Sequence, residues 1–198
     1  MLNDVIQAVA GFSVMGSWWV LGAILLLQYF RMDRRRQASE PSSTGRLRDR
    51  SSMLGLALEG TAFALVFAFH GASVPAVAIP LAWAAVVLAP CSAALAVVAT
   101  HHLGREFRIQ AVVTADHELI RTGPYRLVRH PIYASLLGML LATAAVVARW
   151  EAALAAALVY VVGTEIRVRA EDRLLARRFG PSFEEYRRAV PAYIPFVR

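Results

Sequence analysis

The 198-residue sequence contains no lysine and only one cysteine, Cys91. A single cysteine excludes a disulfide framework within the chain. All 21 basic side chains are arginines, and with 14 acidic residues the formal net charge is +7. Such a charge can indicate nucleic-acid binding, but 58% of the residues are hydrophobic, more than the roughly 45–50% of soluble domains. We therefore expect anionic lipid headgroups, and not nucleic acid, as the partner of the arginines.

Several motifs that would define a function class are also missing. The sequence has no glycine-rich phosphate loop, no Gly-x-Ser-x-Gly nucleophile elbow and no nucleotide-binding strand–helix unit. Its five histidines show no metal-ligand spacing with a supporting carboxylate. We therefore expect no metal site. No internal repeat and no clear strand pattern is present.

What the sequence does contain is a set of long apolar runs. A membrane-spanning helix needs about 20 mostly apolar residues, and five segments are predicted to span a bilayer: 5–29, 53–70, 74–100, 132–148 and 151–166. The first lacks the basic leader of a signal peptide and is too long for one. Pro75, Pro80 and Pro90 interrupt the third segment and are expected to kink it. The last two are separated only by Arg149 and Trp150, which predicts a tight helical hairpin.

The arginines are distributed unevenly among the predicted loops. Residues 31–52 carry seven, 101–131 carry five and 167–198 carry eight, while Arg149 is alone between the last two spans. With the N-terminus outside and the C-terminus in the cytoplasm, twenty of the 21 lie on the cytoplasmic side, as the positive-inside rule requires. The sequence thus predicts an all-α, multi-pass membrane protein with about five transmembrane helices, in the plasma membrane of a prokaryote.

This topology divides the chain into two predicted parts. Residues 1–100 form three spans with a basic cytoplasmic loop at 31–52. Residues 101–198 form a connector, the helical hairpin 132–166 and a cytoplasmic C-terminal tail. Within the spans, Gln28, Glu59 and Glu165 are polar, and an ionisable side chain at depth in a membrane is a candidate for function.

Residues 121–133 form the most polar, turn-rich stretch between two apolar runs. Pro131 suits the first turn of a helix and is expected to open the fourth span. Arg129 and His130 then lie just before its N-terminus, where the helix dipole favours an anion. Tyr125 and Tyr133 offer aromatic faces for a cation or a base. The alternative is an anchor at the headgroup level, where arginine and aromatic residues are common.

A second polar feature is the acidic pair Glu171–Asp172, in a helix predicted to begin at Arg167 and to stop near Gly180–Pro181. A further short helix is predicted over about 182–189. The carboxylates can bind an amino group, hydroxyls or a cation at the membrane face. Alternatively, Glu171 and Arg167 form a salt bridge on the helix surface, since they lie four residues apart.

Taken together, two blocks of residues resemble a known family. The first contains Leu103-Gly104-Arg105, residues 117–125 and Arg129-His130-Pro131-Ile132-Tyr133. The second contains Glu171-Asp172, Phe179-Gly180, Tyr186, Val190-Pro191 and Pro195-Phe196. Their order resembles the isoprenylcysteine carboxyl methyltransferase family and its phospholipid methyltransferase relatives. The resemblance covers about residues 100–198.

The resemblance implies an integral membrane enzyme with S-adenosylmethionine as cofactor, bound on the cytosolic side, and a lipophilic acceptor that enters from the bilayer. The residues implied to bind the cofactor are His117, Leu119, Gly123, Tyr125, Arg129, His130, Pro131, Tyr133, Glu171 and Asp172. Of these, Arg129, His130 and Glu171 are the candidates for a part in the reaction. Arg129 suits a carboxylate, either that of the cofactor or that of the acceptor.

The expected function is therefore methyl transfer at the membrane, with carboxyl O-methylation of an isoprenylcysteine-type acceptor as the leading hypothesis. The first alternative is N-methylation of a lipid amine, with Glu171 or His130 as proton acceptor. A membrane reductase that uses NADPH and a non-catalytic membrane scaffold or small transporter are further alternatives. The oligomeric state stays open.

Overall fold

The computed structural model describes residues 1–38, 47–71, 75–107, 112–113 and 118–194. Within these ranges the secondary structure is helical apart from two strands of two residues each, in agreement with the predicted all-α class. The helices are α1 (Leu2–Ala38), α2 (Ser51–Ala68), α3 (Pro75–Leu103), α4 (Pro131–Val147), α5 (Trp150–Phe179) and α6 (Pro181–Ala189). The strands β1 (Leu47–Arg48) and β2 (Val112–Val113) pair antiparallel. Short 3-10 helices cover Gly104–Glu106 and Gly123–Arg126.

The helices have the composition of a membrane protein. In the part of the chain that the structure describes, three are long and apolar enough to cross a bilayer, over Leu2–Arg31, Ser51–Ala68 and Ile79–Leu103. Helix α4 is also apolar but has 17 residues, somewhat fewer than the roughly 20 of a typical span.

The helices pack in two groups that share α4. Helix α3 lies against α1 and α4, and α2 lies along α5. We call the first group the alanine-rich contact; its buried core is Ala10, Val14, Leu21, Ala82, Ala85, Ala89, Ala96, Met139 and Ala142. Small side chains let helices approach closely in a membrane. Large apolar residues, among them Trp19 and Trp83, are exposed on the outside, where lipid would cover them.

The two ends of the helix bundle are tied by different contacts. At one end, Gln28 of α1 donates to the Thr100 carbonyl of α3 at 3.2 Å, and Arg173 of α5 pairs with Asp49, just before α2, at 2.7 Å. At the other end, the Gly71 N–H donates to the Val147 carbonyl at 3.0 Å. Arg149, the arginine that stands apart in the sequence, belongs to this second end.

The prolines and the glycine that were predicted to set helix ends do so in the structure. Pro131 is the first residue of α4, and α5 begins three residues after α4 ends. Helix α5 stops before Gly180, whose positive φ of 55° suits glycine, and Pro181 opens α6. The predicted fifth span and the tail helix are thus one continuous helix.

The prediction for the prolines of the third segment is wrong in part. Pro75 does not interrupt that helix but is its first residue, and α3 continues through Pro80 and Pro90 to Leu103. Proline fits a first helical turn because the N–H it lacks has no partner there in any helix. Further along, each proline removes one helical hydrogen bond, a loss that packing against neighbouring helices compensates.

Candidate functional site

The C-terminal tail fixes the segment that leads into α4. The backbone N–H of Arg129 donates to the Pro191 carbonyl at 2.9 Å, and that of His130 donates to the Ala192 carbonyl at 2.8 Å. His130 is the residue that caps α4, immediately before Pro131. The end of the chain and the start of α4 therefore form one unit, although 61 residues separate them in the sequence.

His130 lies between two consecutive carboxylates of α5. Its Nδ1 is 3.2 Å from Glu171 Oε2, and its Nε2 is 3.0 Å from Asp172 Oδ1. The His130 side chain is 6% exposed. A protonated imidazole donates from both nitrogens, so this geometry suits an imidazolium held by two anions.

The electrostatics of the three groups agree with that assignment. Burial opposes a charge on His130, but its hydrogen bonds to Asp172 and Glu171 outweigh burial and raise the pKa of His130 from 6.5 to about 9. Burial likewise opposes ionisation of Glu171 and Asp172, yet the hydrogen bonds from His130 hold the pKa of both carboxyls below the ordinary range. At neutral pH all three side chains are charged.

Two further side chains complete this arrangement, which we call the ionic cluster: Arg129, His130, Tyr133, Glu171 and Asp172. The Tyr133 hydroxyl donates to Glu171 Oε1 in a short hydrogen bond. Arg129 Nη2 donates to Asp172 Oδ2 at 2.8 Å. Among the described residues each carboxylate oxygen thus has one partner, and it can accept another hydrogen bond. Glu171 is the more accessible acid, with 24% of its side chain exposed against 12% for Asp172.

The Arg129 guanidinium is directed into the protein. Its Nη1 donates to the Val190 carbonyl at 2.5 Å and to the Arg187 carbonyl at 3.2 Å, and the side chain is 9% exposed. Its Nε is buried without a hydrogen-bond partner among the described residues. In this arrangement Arg129 joins Asp172 to the C-terminal tail and does not present a pair of free N–H groups to an outside carboxylate.

Tyr125 and Tyr186 connect the 3-10 helix Gly123–Arg126 to α6. The Tyr186 hydroxyl donates to the Tyr125 carbonyl at 2.6 Å, and the Arg121 guanidinium lies 5.4 Å from the centre of the Tyr186 ring. Burial raises the pKa of Tyr186 to about 12. Tyr186 therefore stays a neutral donor at physiological pH and holds Tyr125 in its buried position.

The remaining sequence-predicted site residues are arranged less tightly. Gly123 has a positive φ of 59°, and a Cβ there would lie 2.4 Å from His102 Nε2, so this turn requires glycine. Leu119 is half-buried and Pro131 is buried. His117 lies outside the described residues. The structure thus brings the five residues of the ionic cluster into direct contact and places Gly123 and Tyr125 in the turn that precedes it.

Sequence reasoning missed a buried ion pair next to the ionic cluster. Arg167 Nη1 of α5 lies 2.8 Å from Glu59 Oε2 of α2, with side-chain exposures of 7% and 5%. The alternative of a surface salt bridge between Arg167 and Glu171 is wrong, because Arg167 is buried against α2. A signal was present: an acid inside an apolar span needs a counter-charge, and Arg167 follows an apolar run directly.

The comparison with protein families finds a family match over one region of the chain. Residues 83–177 match the model of the isoprenylcysteine carboxyl methyltransferase family. The matched region contains most of α3, all of α4 and nearly all of α5, and with them every residue of the ionic cluster. It does not contain α2 or Glu59.

Curated relatives match over a similar length. The chain is 39% identical over 82 residues to the nickel-cobalt-cadmium resistance protein NccN of Alcaligenes xylosoxydans xylosoxydans, and 43% identical over 89 residues to the cobalt-zinc-cadmium resistance protein CzcN of Cupriavidus metallidurans. It is 34% identical over 82 residues to protein-S-isoprenylcysteine O-methyltransferase of Schizosaccharomyces pombe. These matches cover 39%, 40% and 41% of this chain and only 36%, 37% and 35% of the respective relatives.

Proposed function

We propose that the chain is a membrane methyltransferase of the isoprenylcysteine carboxyl methyltransferase family, whose model residues 83–177 match, and that it uses S-adenosylmethionine. The observation that carries this proposal is the partly exposed carboxylate of Glu171, held by His130 and Tyr133 within the matched region. The expected acceptor is lipophilic, with an isoprenylcysteine-type carboxylate as the leading candidate.

The residues present fit the cationic groups of the cofactor. Glu171 keeps free lone pairs on both oxygens and is the accessible acid of the ionic cluster, so it is assigned to the cofactor's ammonium or ribose hydroxyls. Tyr125 and Tyr133 supply aromatic surface nearby. When bound, S-adenosylmethionine supplies an activated methyl group. That Leu119 and Gly123 also contact S-adenosylmethionine stays a prediction from the sequence.

The other charged residues of the cluster serve to position Glu171. The His130 imidazolium binds both carboxylates and fixes their orientation. Arg129 is assigned a positioning role, because two of its nitrogens bind Asp172 and the tail carbonyls. The sequence-based hypothesis that Arg129 binds the carboxylate of cofactor or acceptor stays a prediction. A preorganised site of this kind lowers the barrier by alignment and by exclusion of water.

The same contacts favour an oxygen acceptor over an amine. An ammonium acceptor must lose a proton before it can accept a methyl group, whereas a carboxylate is already ionised near neutral pH. His130 is a poor proton acceptor, because both its nitrogens already bind carboxylates and its pKa is raised to about 9. N-methylation of a lipid amine therefore remains the second candidate, with Glu171 as the proton acceptor.

A methyl-transfer assay tests the proposal. Purified protein in lipid nanodiscs is given labelled S-adenosylmethionine with either a farnesylcysteine analogue or a phosphatidylethanolamine-containing lipid extract. We expect a base-labile methyl ester on the analogue. Glu171→Gln should lower kcat/KM by roughly 10- to 100-fold, since a charge-assisted hydrogen bond is lost. Glu184→Gln, which removes a half-buried carboxylate of α6 that pairs with Arg187 outside the ionic cluster, should not. A base-stable methylated lipid would favour the amine candidate, and no transfer to either acceptor would contradict the proposal.

The membrane arrangement is proposed with the function. Five helices, α1 to α5, cross the bilayer, and the end that carries Asp49 and Arg173 faces the cytoplasm, as the arginine distribution favours. The ionic cluster then lies at the cytoplasmic face of a prokaryotic plasma membrane. The division of the chain near residue 100 into an N-terminal membrane part and a methyltransferase core stays a prediction.

A further inference from the structure

Glu59 is an acid buried deep in a helix that the composition marks as a membrane span. It lies eight residues after Ser51, the start of α2, so its backbone is about 12 Å along the helix. Glu59 Oε2 accepts from Arg167 at 2.8 Å, and Oε1 accepts from Thr164 at 3.1 Å. A buried ion pair can often be replaced by apolar residues without loss of stability. Helix packing alone therefore does not explain why both charges are present.

The crossing of α2 and α5 is built around this pair. A Cβ on Gly55 would lie 2.5 Å from the Gly163 carbonyl oxygen and 2.5 Å from Arg167 Cγ. Neither distance is physically possible for a real side chain, so glycine at both positions lets the two helices approach closely. The close approach brings the α2 carboxylate within reach of the Arg167 guanidinium.

Arg167 connects Glu59 to the ionic cluster. Its guanidinium carbon lies 4.9 Å from the centre of the Tyr133 ring, within the distance of a cation–π contact. The Tyr133 hydroxyl donates to Glu171, and the Tyr133 carbonyl accepts from the Tyr160 hydroxyl at 2.9 Å. Arg167 thus packs directly against Tyr133, one of the two groups that orient Glu171.

The Glu59–Arg167 pair also has an electrostatic effect on Glu171. Along the series Glu59, Arg167, Glu171, His130, Asp172 and Arg129, acid and base alternate, and the charges sum to zero. Arg167 and Glu171 are close enough for their charges to interact, so loss of the Glu59 charge would leave more of the positive charge of Arg167 acting on Glu171. Arg167 would then compete with a cationic ligand for the Glu171 carboxylate.

We propose that Glu59 is a positioning residue of the methyl-donor site: it neutralises and holds Arg167, so that Tyr133 stays in place and Glu171 stays available to the donor's ammonium. The inference rests on the proposed function. It means that α2, outside the family-matched region 83–177, contributes to cofactor binding through a chain of contacts.

The test is calorimetric titration of S-adenosylhomocysteine, the demethylated donor, onto the full-length protein in detergent. We expect Glu59→Gln to weaken binding about tenfold, in the range of couplings between contacting residues. Gln28→Leu is the matched control, because Gln28 is an equally buried polar residue that joins α1 to α3. This variant should lower the melting temperature and leave binding unchanged, which separates an effect on stability from an effect on the site.

Thr164→Val is the second variant if Glu59→Gln does not fold. It removes one hydrogen bond to Glu59 and no charge, and a two- to fivefold loss of affinity is expected. If Glu59→Gln and Thr164→Val bind S-adenosylhomocysteine as tightly as wild type, the inference is overturned while the proposed function stands. The same holds if Gln28→Leu loses as much affinity as Glu59→Gln. Wild-type protein that binds no S-adenosylhomocysteine would overturn both. In the transfer assay, Glu59→Gln should raise KM for the donor far more than it lowers kcat, which a general loss of folded protein would not do.

Discussion

The alanine-rich contact and the ionic cluster differ in how their buried polar groups are satisfied. In the first, buried hydroxyls bind carbonyls of their own helix: Ser17 donates to Ser13 at 2.8 Å and Thr143 donates to Met139 at 2.6 Å. In the second, each charged group depends on a partner from another element, 42 residues away in the case of His130 and Asp172. The side-chain bonds that join the helices of the alanine-rich contact are between neutral groups, such as Trp18 Nε1 to Thr143 Oγ1 at 3.0 Å and Ser13 Oγ to the Val86 carbonyl at 3.1 Å. Long-range charge pairs fix one arrangement of several elements, which is a requirement of a binding site and not of packing.

The largest expected difference between the two regions is the loss in free energy of unfolding when a buried polar side chain is removed. Asp172→Ala removes the acid that both Arg129 and His130 bind, and breaking a buried ion pair by removing one partner costs about 3–5 kcal/mol. Ser17→Ala removes a bond within one helix and should cost about 1 kcal/mol or less. Unfolding of both variants in the same detergent measures the contrast. Similar losses in the two variants would mean that the ionic cluster is no more coupled than the alanine-rich contact.

The next effect is a pH dependence that belongs to the ionic cluster. The folded-state pKa of His130 is raised from 6.5 to about 9, so its contribution is complete below pH 6.5 and is lost as the pH rises through about 9. The shift corresponds to about 3 kcal/mol. Glu171 and Asp172 have lowered pKa values, so their contribution is present at neutral pH and is lost in acid.

Melting temperature recorded from pH 5 to 10 measures this profile. Wild-type protein should lose stability between pH 6.5 and 9, and a His130→Gln variant should lack that part of the slope while other groups titrate as before. A wild-type profile that is flat over this window would show that His130 is not held as an imidazolium.

A smaller effect is expected at the glycine crossing of α2 and α5. Gly55→Ala places a methyl group 2.5 Å from the Gly163 carbonyl oxygen, and such overpacking costs about 1–3 kcal/mol. Gly60→Ala in the same helix meets nothing within 4 Å and should be neutral or slightly stabilising, because alanine favours a helix over glycine. Denaturant titration compares the two; an equal response would mean that the helices do not approach closely at Gly55.

The sequence predicted those features that neighbouring residues determine, and not those that depend on contacts between distant segments. Pro131, Gly180 and Pro181 set helix ends by backbone chemistry, so the bounds of α4, α5 and α6 followed from the sequence within about a residue. The cofactor hypothesis joined residues 129–133 to 171–172 through family resemblance, and contact between these two segments is what the structure shows. Neither spacing nor composition could indicate that Arg129 turns toward the tail carbonyls, because that depends on how residues 190–192 dock.

The Glu59–Arg167 pair is a second contact that the sequence could not predict. Each residue was visible as a charge beside or within an apolar run, but 108 positions separate them. Their contact depends on Gly55 and Gly163, whose role appears only when α2 and α5 are brought together. A sequence-based interpretation could mark Glu59 as a candidate but could not assign its partner.

The most direct test of the central claim, that the ionic cluster is a methyl-donor site, is ligand-induced stabilisation by S-adenosylhomocysteine. A ligand present at 100 times its Kd stabilises the folded state by about 2.7 kcal/mol, so the wild-type melting temperature should rise clearly. Glu184→Gln should show the same rise, and Glu171→Gln, with binding weakened about 10- to 100-fold, should show about half of it or less. A wild-type protein that does not respond, or a Glu171→Gln variant that responds as strongly as wild type, would contradict the account.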